Sequence, residues 1–148
     1  MDDYANYEAD SKKIIAANKK LLSEFKIWLQ SSNLSEKTIN NHISNISFYI
    51  NEYLLYYEEP IKAQDGIGDV STFLGDWFIR KAMWASKAHI KSNAASITKF
   101  YTFLLGKGLV TSNDLNELKL TIKAELPEWI QALKQYDDLA NEDMDDEW

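Results

Sequence analysis

Apolar residues recur at three- and four-residue spacing along most of this chain, and no alternating run is long enough for a strand. That pattern restricts the fold to packed helices. Over residues 11–30, Ile14, Ile15, Leu21, Leu22, Phe25, Trp28 and Leu29 make one broad face, with five lysines on much of the rest. Asn33 suits the end of that helix. Ser35 is a good N-cap for a second helix, with Glu36 in its first turn where the helix dipole favours an acid. Its stripe is Ile39, Ile43, Ile46, Ile50, Tyr53, Leu54 and Tyr57. Pro60, Gly66 and Gly68 break the period, which predicts a loop over residues 59–69. A third helix is expected over 71–80 and a fourth over 86–105, stopped by Gly106 and Gly108. A fifth is expected over 113–124. Pro127 fits the first turn of a sixth, over 127–138. The expectation is an all-α protein, a single bundle of five or six helices.

With 148 residues, the chain suits one domain. There is no Cys, which excludes disulfides, thiolate metal sites and cysteine nucleophiles. No apolar stretch is long enough to span a membrane. The start, MDDYANYEAD, is acidic where a secretory signal would be basic and then apolar, so a cytoplasmic location is expected. The net charge of −7 is unevenly spread. Residues 1–10 carry −4, residues 11–112 carry 13 bases against 8 acids, and residues 113–148 carry three bases against 11 acids. A mildly basic body, residues 11–112, therefore sits between two acidic ends, and the expected organisation is an acidic arm (1–10), a helical domain (11–138) and an acidic tail (139–148).

Catalytic chemistry is hard to find. His42 and His89 stand mid-helix with no carboxylate at ligand spacing, so neither a metal nor another cofactor is expected. The GIGD at residues 66–69 is too short for a phosphate loop, and no Ser stands in a nucleophile elbow. Asp143, Asp145 and Asp146 lack the Gly and the closing Glu of a calcium loop and read as a solvated tail. Trp28, Trp77, Trp84 and Trp129 stand at helical spacing and read as packing.

Two segments carry a more specific pattern. LSEKTINNHISNISFYINEYL, residues 34–54, has Leu34 and Ser35 followed by Thr38. DVSTFLGDWFIRKAMWASKAHIKSNAASITKFYTFLLGKGLV, residues 69–110, opens on Asp69 and Val70, and starts its second helix near Ser86. It ends on Phe100 and Tyr101, then Phe103 and Leu104, and closes with Gly108 and Leu109. In this order and spacing the segments resemble the N-terminal, SAM-like core-binding domain of the tyrosine recombinases, the phage integrase family. With the first helix, the resemblance covers about residues 11–115. His42 stands where that family commonly has Tyr, and His89 where it commonly has Thr. The recombinase catalytic set of two arginines, a His-x-x-Arg element and a tyrosine cannot lie in the 38 residues after Val110, which hold no Arg and no His. The resemblance therefore implies a stand-alone, non-enzymatic domain.

What it implies is DNA binding, accessory to integration or recombination, through one face built from the starts of the second and fourth helices. The candidates are Lys37, Thr38, Asn41, His42, Asn45, Lys87, His89 and Lys91. Lys37, Lys87 and Lys91 would neutralise phosphate, while Asn41 and Asn45 could read base edges. The alternative is a protein-interaction or regulatory module that kept the fold and lost DNA binding. In that reading the acidic tail docks on a recombinase or another protein, or mimics DNA, with Trp148 as an apolar anchor.

Overall fold

The computed structural model describes residues 3–56, 59–82 and 84–146, with side chains from Ala5 to Ala140 in the two terminal helices. The described residues form helices joined by short turns, with no strand among them, and the helices pack into a single bundle. Helix α1 is Asp3–Gln30 and α2 is Glu36–Ser47, which continues into a π-helical stretch, Phe48–Tyr53. A 3-10 turn, Ala63–Gly68, leads to α3 (Val70–Thr72), a second π-helical stretch (Phe73–Trp77) and α4 (Phe78–Lys81). Helix α5 is Lys87–Gly106 and α6 is Ser112–Asp146.

The punctuation behaves as the sequence predicts. Ser35 and Ser86 sit in extended backbone, and each hydroxyl accepts the N–H three residues on, from Thr38 and His89 at 3.2 Å. That satisfies one of the donors a helix start leaves open. Asn33 at φ 59 and Gly108 at φ 75 take the left-handed backbone that turns the chain after α1 and α5.

Three elements differ from the sequence expectation. Residues 59–69 are not all loop, because the 3-10 turn is fastened from inside. The buried Tyr49 hydroxyl donates to the Gly66 carbonyl at 2.6 Å, and the buried Tyr101 hydroxyl to the Ala63 carbonyl at 2.7 Å. Helix α1 starts at Asp3 rather than at 11, so the acidic arm is its first turns, where the dipole favours acids. The Tyr7 hydroxyl donates to the Leu55 carbonyl and ties that end to the body. The expected fifth and sixth helices and most of the tail are one helix. Pro127 lies inside α6 rather than in a first turn, and the helix runs on to Asp146. Both sides of the proline are held by burial, at Leu115 and Leu118 before it and at Trp129 and Leu133 after it. Packing overrides the lost backbone bond.

The two π-helical stretches face each other. Phe73 lies 4.8 Å from Tyr49 and 5.0 Å from Tyr53, centroid to centroid, and Trp77 lies 5.2 Å from Tyr53. Five-residue hydrogen bonds, such as Leu54 N–H to the Tyr49 carbonyl at 3.0 Å, widen these turns around large rings. A second cluster, Phe25, Trp28, Phe100 and Phe103, joins α1 to α5. Trp77 and Trp129 are core, as expected, and Trp28 is partly buried against it. Trp84 is not core: it is 51% exposed. Among the described residues no helix is long and apolar enough to cross a membrane.

Candidate nucleic-acid interface

The candidate face is built where α2 packs on α5. Its middle is a polar seam. The Asn45 Nδ2 donates to Ser92 Oγ and Ser96 Oγ, each at 3.0 Å, and His42 Nδ1 lies 2.7 Å from Ser96 Oγ. Ser96 is fully buried and His42 nearly so. The Ser96 hydroxyl thus accepts from Asn45 and bonds His42, joining two α2 side chains at one α5 residue. Burial pushes the His42 pKa below its ordinary value, and the Lys99 ammonium pushes the same way.

These bonds fix the register. Stepping along α2 from His42 to Asn45 moves back along α5 from Ser96 to Ser92. Further along α2's continuation, Phe48 meets Trp84 at 5.4 Å, just before α5 begins. The two helices are therefore antiparallel, and their starts do not share one end of a face. Lys37 is at one end and Lys87 at the other, separated along the axis by roughly 20 Å at 1.5 Å per residue.

The eight candidates divide accordingly. Lys37, Asn41, Lys87, His89 and Lys91 are exposed. Thr38 and Asn45 are half-buried, and the Thr38 hydroxyl accepts from Ser35 at 2.9 Å. His89 Nδ1 lies 2.7 Å from the Ser86 hydroxyl, so that ring belongs to the α5 cap. His42 is a clamp inside the seam rather than a surface group. Its residue type and mid-helix position do not announce this; only Ser96, 54 residues away, gives it that role.

The flanking charge is a stronger feature than any single candidate. Residues 37–51 contain one charged side chain, Lys37, and residues 77–113 contain six bases and no acid. Arg80 is bonded to Asp76 at 2.9 Å, and Lys107 to Glu24. Lys87, Lys91 and Lys99 thus lie on a helix with no carboxylate of its own, packed on one whose only acid is Glu36. Among the described residues no group of three or more His, Asp or Glu side chains could hold a metal ion. Compared with protein-family models, curated proteins and solved structures, the chain matches none.

Proposed function

We propose that this chain is a non-catalytic DNA-binding domain of the kind that precedes the catalytic domain of tyrosine recombinases, acting as an accessory in integration or recombination. The observation that carries the reading is the basic, nearly acid-free α2–α5 face. Cation–phosphate contact dominates DNA affinity, and this face offers cations with no carboxylate interleaved on α5. In the antiparallel register Lys37 and Lys87 stand roughly 20 Å apart along the axis, enough to span a major groove of about 12 Å. They would meet phosphates on opposite sides of it, with Lys91 beside Lys87. Asn41, exposed between them, has the amide for a base edge. Asn45 and His42 hold the two helices in register, so their part is positioning.

Fluorescence anisotropy of labelled duplex DNA over about 20–200 mM salt tests this, with the full chain beside a chain ending at Lys134. That end keeps Trp129 and Leu133, which are core, and removes seven acids. Three to five phosphate contacts give a log–log salt slope of roughly −3 to −5. Tighter binding by the shortened chain points to a DNA-binding body restrained by its own acidic end. No binding by either chain at the lowest salt sinks the DNA reading and leaves a protein-interaction module whose acidic α6 end meets a partner.

A further inference from the structure

We infer that the exposed indole of Trp84 is a stacking platform for an unpaired base, so that the domain prefers DNA with a single-stranded end or junction over blunt duplex. The inference rests on the DNA reading and deepens it. Lys37, Asn41, Asn45 and Phe48 recur at three- and four-residue spacing along α2 and the start of its continuation, which makes them one stripe. Trp84 closes that stripe: its ring lies nearly perpendicular to those of Phe48 at 5.4 Å and Phe78 at 6.5 Å, and the residue is still 51% exposed.

Ring contacts to two phenylalanines hold the Trp84 side chain in place, while half of the residue stays open to solvent. The segment around it is cationic: Lys81 lies three residues before it, Lys87 three residues after it, and no acid lies between residues 77 and 113. The Lys81 ammonium is 5.6 Å from the ring centroid of Tyr56, itself 54% exposed and 5.6 Å from Trp77. The same cluster contains the Trp77 indole N–H, buried without a hydrogen-bond partner. Aromatic faces beside cations at the end of a phosphate-binding face are what a splayed base requires. Stacking holds the ring, and the lysines hold the backbone on either side. A proline-rich peptide would use the aromatics but has no use for a face that continues along α2 and α5 as lysine and asparagine.

The test compares a blunt duplex with the same duplex carrying a single-stranded oligothymidine overhang, using the full chain. Tryptophan emission and anisotropy are both read, for wild type, Trp84→Ala and Trp84→Phe. The expected result is overhang binding about 5- to 100-fold tighter than blunt binding, the range that one stacked base supplies. Quenching should be present in wild type and absent in Trp84→Phe. Overhang affinity should fall to the blunt level in Trp84→Ala and recover in part in Trp84→Phe, which keeps a ring against Phe48. Equal affinity for both probes in wild type, or an overhang preference that survives in Trp84→Ala, overturns the platform while the blunt-duplex arm leaves DNA binding standing. No binding to either probe removes the DNA reading together with this one.

Discussion

His42 shows how a single side chain can be assigned to the wrong task from its position alone. Mid-helix, beside Asn41 and Asn45, it reads as one more polar group on a DNA face. Its ring is instead buried against Ser96, and that burial pushes its pKa down. A folded-state pKa below the unfolded value of about 6.5 means the unfolded chain takes up the proton first as pH falls. The contribution to stability is full above that value and is lost as pH falls through the folded-state value. Thermal melts at pH 7.5 and pH 5.5 should show a loss of stability on acidification that is smaller in His42→Gln, which keeps a polar group for Ser96 and cannot titrate there. An identical pH response in the variant would mean the ring is not buried neutral. Ser96→Ala removes the shared partner of His42 and Asn45 and leaves buried polar atoms unpaired. It should cost about 1–3 kcal/mol in chemical denaturation.

Among the helices, α6 departs most from its sequence pattern. A proline normally marks a first turn or a break, and at Pro127 it marks neither. Apolar spacing is interrupted around it, so two helices are the natural expectation. The flanking residues bury on both sides of the proline, and that energy outweighs the missing bond. Pro127 is exposed, so Pro127→Ala restores a backbone donor without disturbing the core. It should raise stability by up to about 3 kcal/mol, read as a higher melting temperature. A lower one would show that the helix needs its irregularity at that point. The joint between α6 and the second π-helical stretch is tighter than any pattern shows. A Cβ at Gly75 would meet Trp129 Cδ1 at 2.8 Å and Nε1 at 3.0 Å. Gly75→Ala should therefore destabilise by about 1–3 kcal/mol, because the buried indole has to move.

Apart from the Arg80–Asp76 and Lys107–Glu24 pairs, the bundle keeps its basic and acidic stretches on different parts of the chain. The basic α2–α5 pair is packed in the middle, while the last turns of α6, exposed from Lys134 to Ala140, carry acid outward. Leu139 is 61% exposed there, and the charge of residues 141–147 continues the trend. Trp148 and the side chains of Asp143, Asp145 and Asp146 lie outside the described residues. Ending the chain at Lys134 takes the formal net charge from −7 to zero. Heat denaturation of that chain should keep one cooperative transition within a few degrees of the full chain, since all the α6 side chains buried among the described residues remain. A collapse of the transition would mean that the outer turns of α6 cover the body.

The sequence carried the helical class, the caps at Ser35 and Ser86, the turns at Asn33 and Gly108, and most of the apolar core. Each of these is a local choice or a short period, encoded by residues within one or two turns of each other. It also carried the uneven charge, which is additive along a chain. What the chain's packing settled was everything set by partners distant in sequence. Pairing across 54 residues turned His42 inward, and two buried tyrosine hydroxyls turned part of an apparent loop into a 3-10 turn. Burial on both sides of Pro127 fused two helices. The antiparallel run of α2 and α5 placed the two helix starts at opposite ends of the face, and it left Trp84 exposed at one of them. Periodicity records which side of a helix is apolar. It does not record which neighbour that side will meet, or in which direction the neighbour runs.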